Sequence, residues 1–296
     1  MGGEAIIFPG QGVEPYDLAR ILREHEDDAL VQRLASIVGT DAWDALDLLD
    51  TRIAQPAVYT ASVVQAFAAG GADPLTFVAA AGHSLGELSA LAYAGVFDPL
   101  TGVDLVVRRA ELGHAQHERR PGRMLVVMRL DEPAVEWVRR TVVAQGAGVL
   151  ELAVVNGPGQ FVLSGDVAAT SLAMDVIAEA GGVGRPLTIG GGYHSPLMAD
   201  AVRPLQEAVQ ALTLRDPVIP VVSCTTQTVL RSSEQVATAL ARSLVLPVRW
   251  VETMRALATL GASGAVDAGP SRTLANLARF APVLEHRALS PDPKAR

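Results

Sequence analysis

The chain has 296 residues, 49% of them hydrophobic and 19% charged, with 24 Lys+Arg against 32 Asp+Glu for a formal net charge of −8. This is a globular composition, long enough for one large domain or two, and without basic-aromatic interleaving it disfavours nucleic acid as a partner. No uninterrupted apolar run of about 18 residues marks a membrane span, the N-terminus lacks the regions of a signal peptide, and the lone Cys224 leaves no disulfide framework or thiolate zinc cluster and suits a reducing cytoplasm.

Ala5 to Phe8 reads as a short buried strand, and Pro9-Gly10-Gln11-Gly12 follows as a loop that either presents the Gln11 amide to a pocket or is a plain turn. Leu18 to Leu30 and Leu34 to Leu49 read as helices, and Gln55-Pro56 opens another over Ala57 to Ala69, proline being a normal first helical residue. The stretch from Phe77 to Ala94 organises the rest. An apolar strand runs into Gly82-His83-Ser84-Leu85-Gly86 and then a helix with Leu88, Leu91 and Ala92 on one face. Strand, tight turn and helix make a nucleophile elbow, with Ser84 at its tip and the Leu85 N–H placed to stabilise an oxyanion. A helix over Pro99 to Gln116 carries Arg108 and Arg109, a pair that ordinarily marks a solvated face. His114 to Arg123 reads as a polar linker.

Residues 123–189 then alternate as strand Met124–Arg129, helix Pro133–Gln145, strands Val149–Val155 and Gln160–Gly165, helix Asp166–Ala180 and strand Val183–Leu187. That β-α-β-β-α-β order predicts an inserted ferredoxin-like subdomain. The chain returns through Gly190-Gly191-Gly192-Tyr193-His194 to helix Ala199–Leu212, strand Val218–Ser223 and helix Ser233–Leu244. A helix opening at Pro247-Val248-Arg249-Trp250, strand Ala265–Asp267 and helix Arg272–Phe280 complete it, with a frayed tail after His286. Residues 1–122 and 190–296 are thus expected to form the large domain, its mostly parallel sheet covered on both faces.

A serine nucleophile needs a base. His25 lies in a charged helix face, His114 and His117 in the expected linker, His286 near the C-terminus, and His83 diverges from Ser84 at a sharp turn and is expected to pack beneath it. His194, framed by glycines at a domain junction, remains. Asp267 or a backbone carbonyl are both open as its partner.

Taken together, Phe8-Pro-Gly-Gln-Gly12, Gln55-Pro56-Ala57, Gly82-His-Ser-Leu-Gly86, Arg109, Asn156-Gly-Pro158 with Ser164-Gly165, Tyr193-His-Ser-Pro-Leu-Met198, Pro247-Val-Arg-Trp250 and Gly269-Pro270 resemble the malonyl-CoA:acyl-carrier-protein transacylases and the acyltransferase domains of polyketide synthases. The resemblance implies an α/β-hydrolase-like core with the inserted ferredoxin-like subdomain. It implies Ser84 as acylated nucleophile, His194 as base and acid with the Arg249 main-chain carbonyl as its partner, and Gln11 with the Leu85 N–H as oxyanion hole. Arg109 resembles the arginine that grips the donor's free carboxylate, which leaves Arg108 on the surface. Gln55, Tyr193, Gly113 and Arg249 are the further substrate-site candidates. No metal or cofactor is implied, since CoA and the carrier's phosphopantetheine are substrates, and a cytoplasmic monomer is expected to meet an acyl-CoA and an acyl carrier protein in ping-pong order.

The chain departs from the family at Val13-Glu14-Pro15, at Gly113 and at Gly191-Gly192-Tyr193. Tyr193 keeps an aromatic wall against α-branched extenders, while Gly113 and Gly191 remove bulk and are expected to open room for a larger acyl group. The expectation is therefore a free-standing acyltransferase of polyketide or related specialised metabolism. Alternatives are transfer of a larger acyl group between carrier proteins, a serine thioesterase that clears acyl groups, or a non-catalytic docking module. Arg119, Arg120, Arg123, Arg242 and Arg272 are candidates for carrier docking, or else solvated surface.

Overall fold

A computed structural model describes residues 3–69 and 73–289. The first strand, β1 (Gly3–Phe8), is buried from Ala5 to Phe8, as a central strand covered on both faces must be. It pairs in parallel with β2 (Ala79–Gly82) on one side and β10 (Ala262–Asp267) on the other. β11 (Glu285–Ala288), β7 (Val221–Val222) and β8 (Val229–Leu230) complete a six-stranded sheet ordered β11-β10-β1-β2-β7-β8, parallel except for the β7–β8 hairpin. Helices α3 (Thr51–Ala69), α4 (Gly86–Tyr93) and α5 (Pro99–Arg119) pack together. Asp98 caps α5 by accepting from the Leu100 N–H at 2.9 Å. Among the described residues no helix is long and apolar enough to cross a membrane.

The second sheet holds β3 (Gly122–Met128), β4 (Leu150–Gly157), β5 (Gln160–Asp166) and β6 (Val183–Pro186) in the order β6-β3-β5-β4, all antiparallel, with α6 (Glu132–Ala144) packed on α7 (Val167–Glu179). This is the ferredoxin-like arrangement expected. A fifth strand, β9 (Val248–Arg249), joins it in parallel beside β4, so the returning chain contributes to the inserted sheet and the boundary near residue 190 is not clean.

Several elements differ from expectation, each for a local reason. The first expected helix is two: α1 (Pro15–Glu24) stops, and α2 (Ala29–Val38) starts afresh where the Asp28 carboxylate accepts from the Leu30 N–H. No helix continues to Leu49, because Gly39 closes α2 at φ 73° and the Asp47 and Asp50 side chains bond the amides of Leu49 and Arg52. Pro56 does not open α3 but lies inside it, five residues past its start, which places Thr51 and Gln55 on one helical face. The expected linker at His114 is the last turns of α5. The expected frayed tail is instead strand β11 as far as Ala288, held by Arg287 on Glu4 at 2.8 and 2.7 Å, while residues 290–296 lie outside the described chain.

The turn between β2 and α4 packs backbone directly against backbone. A Cβ on Gly82 would lie 1.9 Å from the Gly86 carbonyl carbon, and one on Gly86 would lie 2.1 Å from the Phe8 carbonyl oxygen. Gly86→Ala is therefore expected to destabilise the protein by about 2–3 kcal/mol, because backbone faces backbone and neither can yield. Gly184→Ala in β6, whose added Cβ meets only side-chain carbons at 3.5 Å and beyond, is expected to stay within about 0.5 kcal/mol. Urea midpoints of the two variants check the contrast.

Candidate active site

The elbow holds Ser84 at φ 53°, in the left-handed region that a non-glycine residue adopts only when its surroundings impose it. The close approach of Gly82, Gly86 and β1 imposes it here. Behind the turn the Ser84 N–H donates to Cys224 Sγ at 3.4 Å, and the buried Glu87 carboxylate accepts from the Cys224 N–H at 3.0 Å and the Ser223 hydroxyl at 3.0 Å. Burial raises the Glu87 pKa and pushes the Cys224 thiol well above its ordinary value, so Cys224 is a protonated packing group just past β7. Among the described residues no acceptor takes the Leu85 N–H, which stays available beside Ser84.

His194 sits opposite at φ 59°, its N–H bonded to the Leu244 carbonyl at 2.7 Å and its ring Nε2 2.7 Å from Ser84 Oγ. Nδ1 lies 2.8 Å from the carbonyl oxygen of Leu246. A carbonyl can only accept, so Nδ1 carries the proton and Nε2 offers its lone pair to the serine hydroxyl. Burial, then the Arg109 charge, lowers the His194 pKa to about 3, which keeps the ring neutral.

The partner carbonyl is thus that of Leu246, not Arg249. The Arg249 carbonyl is spent on the first turn of α10 (Trp250–Thr259), accepting from Thr253 Oγ1 at 2.9 Å, while its guanidinium pairs with Glu132 at 2.7 Å. Arg249 therefore does not line the cavity around Ser84. Asp267 is no partner either. Its buried carboxylate accepts from the N–H groups of Gly269, Leu274 and Ala275 at 2.9–3.1 Å and caps α11 (Thr273–Leu277). His83 packs on Trp250, their rings 5.3 Å apart, and its Nε2 lies 3.0 Å from Asn156 Oδ1.

Arg109 comes from α5 and is 3% exposed. One nitrogen donates to Gln55 Oε1 at 2.5 Å, the other to Ser84 Oγ at 3.3 Å, and the guanidinium carbon stands 5.4 Å from the centre of the Tyr193 ring. Among the described residues it makes no ion pair. Burial lowers its pKa, yet a guanidinium stays charged, so a cation lies beside the nucleophile with no chain carboxylate bound to it. Arg108, by contrast, is exposed beside Glu111.

These groups line one cavity of about 280 Å³ that includes Gln11, Gln55, Ser84, Leu85, Arg109, Tyr193 and His194. Its far wall is the face of the second sheet carrying Met124, Val126, Val154 and Val162. Gly113 does not open this cavity. A Cβ there would lie 2.1 Å from the Tyr193 hydroxyl, and one on Gly191 3.1 Å from the same ring, so the missing bulk is filled by Tyr193 itself. The expected extra room for a larger acyl group is absent. Of the docking candidates, Arg120 is bidentate on Asp166 and Arg123 bonds Ser171, whereas Arg272 adjoins the cavity-lining Thr273.

Sequence reading missed Leu246, Thr51, Glu87 and the role of Asn156. Leu246 had one signal, its place before Pro247, where the chain leaves helical geometry. Thr51 had none, because Pro56 concealed the true start of α3.

A family model described as "Acyl transferase domain" matches residues 14–279. The malonyl CoA-acyl carrier protein transacylase of Bacillus subtilis (strain 168) is 32% identical over 288 residues, covering 93% of this chain and 89% of that protein. The crystal structure of FabD from Acinetobacter baumannii superposes with a TM-score of 0.88 at 28% identity, covering 99% of this chain and 96% of that one. A malonyl-transacylase solved in complex with its type II PKS acyl-carrier protein superposes with a TM-score of 0.84 at 29% identity, covering 97% and 95%.

The depressed His194 pKa sets the pH behaviour. Its folded value of about 3 lies below the ordinary 6.5, so the unfolded chain binds a proton that the folded one refuses. This group alone removes stability at about 1.4 kcal/mol per pH unit as pH falls from 6.5 towards 3. The rate at which a sulfonyl fluoride modifies Ser84 is expected to stay flat from pH 8 down to 5. Arg109→Met, which removes the neighbouring charge, is expected to move the acid limb upward in a pH series of the same labelling reaction.

Proposed function

The chain belongs to the acyl transferase domain family, and on that premise we propose that it moves a malonyl group from CoA to the phosphopantetheine thiol of an acyl carrier protein. The observation that carries this reading is Arg109, a buried cation 3.3 Å from the Ser84 hydroxyl with no carboxylate of the chain upon it. A malonyl thioester supplies the missing carboxylate, and a planar guanidinium binds it in bidentate fashion.

Ser84 Oγ attacks the thioester carbonyl as its proton passes to His194 Nε2. The developing oxyanion is met by the Leu85 N–H and the Gln11 amide. The carbon–sulfur bond breaks, CoA leaves as the thiol with the proton from His194, and malonyl-Ser84 remains. The carrier's thiol then gives its proton to His194 Nε2 and attacks the ester. Ser84 recovers its proton from His194 as the malonyl thioester departs. The ion pair at Arg109 holds the acyl group for the incoming thiol. The reaction so written draws on no metal or bound cofactor.

The relatives named above as transacylases of malonyl-CoA and acyl carrier protein support this donor and acceptor, and the carrier complex of a type II PKS supports polyketide metabolism as the setting. Tyr193 filling the space at Gly113 supports malonyl over a bulkier acyl group. We read the enzyme as a cytoplasmic monomer whose carrier approaches near Arg272.

Intact mass after brief mixing with malonyl-CoA is expected to show a malonyl adduct that Ser84→Ala abolishes. Arg109→Met is expected to slow malonyl loading by about 100-fold, the worth of a lost charge-assisted pair, while acetyl loading does not fall in step. Equal losses for both donors would refute the carboxylate clamp. CoA release without any adduct would replace the transferase with a hydrolase.

A further inference from the structure

Arg109, Gln55, Thr51 and Gln11 form an unbroken hydrogen-bonded chain that begins at a group with donors only. A guanidinium has only donors, so the Gln55 side-chain oxygen must face Arg109, at 2.5 Å. The Gln55 amide nitrogen is thereby turned to Thr51 Oγ1, 2.7 Å away, and to the Tyr193 hydroxyl, 3.1 Å away. Thr51 Oγ1 accepts from Gln55 and from the Tyr193 hydroxyl, whose proton has no other acceptor among the described residues, and this leaves the Thr51 proton for Gln11 Oε1 at 3.0 Å. Gln11 consequently spends its oxygen on Thr51. Its amide nitrogen is buried and has no partner among the described residues, although Gln11 lines the cavity beside Ser84.

The Tyr193 hydroxyl braces the middle of this chain. It lies 3.3 Å from Thr51 Oγ1 as well as 3.1 Å from Gln55, and it fits only because residue 113 is glycine. Thr51 is 3% exposed, so water does not substitute for any of these contacts. Without the Thr51 proton, nothing in the chain distinguishes the two ends of the Gln11 amide. A flipped amide would present an oxygen to the developing oxyanion, and like partial charges repel.

We infer that Thr51 is a positioning residue, which relays the donor polarity of Arg109 through Gln55 and thereby holds the Gln11 amide with its N–H groups towards the oxyanion of the acyl-transfer reaction. This rests on the proposed acylation of Ser84. It gives Arg109 a second task besides holding a carboxylate, because the same guanidinium determines which end of Gln11 faces the substrate.

The test compares Thr51→Val, which keeps the shape and removes the hydroxyl, with Thr51→Ser, which keeps the hydroxyl. Two readouts are taken: the rate of malonyl loading at saturating malonyl-CoA, and the labelling of Ser84 by an alkyl fluorophosphonate, whose P=O uses the oxyanion hole but carries no carboxylate or CoA. Thr51→Val is expected to slow both by about 10-fold, a fraction of the 100- to 1000-fold typical of losing an oxyanion donor outright, with the KM for malonyl-CoA within two-fold. Thr51→Ser is expected to recover both to within two-fold. In a Gln11→Ala background Thr51→Val is expected to cost nothing further, since both act through one group. Unchanged rates in Thr51→Val, equal slowing in Thr51→Ser, or an undiminished Thr51→Val effect in the Gln11→Ala background would each overturn the inference. An enzyme that reacts with the fluorophosphonate but never with malonyl-CoA would instead overturn the malonyl donor, with the Thr51 comparison still read from the labelling rate.

Discussion

The buried charge on Arg109 is the constraint from which the rest of the site follows. A guanidinium removed from water is costly unless something compensates it, and here the described chain offers an amide oxygen, a serine hydroxyl and an aromatic face in contact, with the buried Glu87 carboxylate acting only from beyond bonding distance. Its effects reach in three directions. It leaves a place for an anionic acyl group, it adds to burial in keeping His194 neutral, and as a group with donors only it orders the hydrogen bonds around it.

The scaffold keeps these groups in place with backbone contacts rather than long side chains. The glycines of the elbow bring α4 against β1 so closely that the Ser84 conformation has no slack. His194 is tied at its amide and its ring to the carbonyls of Leu244 and Leu246, one segment fixing both position and tautomer. A carbonyl does for this imidazole what a carboxylate does in a catalytic triad, without placing a second acidic group beside Arg109. The inserted sheet covers the cavity with an apolar face, and β9 stitches that sheet to the chain just past the histidine's partner.

Much of this was legible in the residues. The elbow is local, since glycine spacing, a strand and a helix suffice to predict a strained turn with an exposed serine. The inserted subdomain was legible because its alternation of strands and helices is regular. The misread pieces share another feature. The carbonyl choice between Leu246 and Arg249 and the short strands β9 and β11 depend on partners distant in the chain.

Periodicity and motif spacing by themselves pointed to the α/β architecture, to Ser84 at the tip of a strained turn and to His194 as the histidine able to reach it, because each rests on residue type and local geometry, whereas Arg109 stood out only through the family resemblance. Only the tertiary structure decided where the bulk missing at Gly113 went, since that space belongs to Tyr193 from 80 residues further on. It alone decided that Asp267 caps a helix instead of serving His194, and that Thr51 stands between Gln55 and Gln11. The physical reason is that a hydrogen bond's direction and a cavity's shape belong to groups brought together by folding, not to any one stretch of chain.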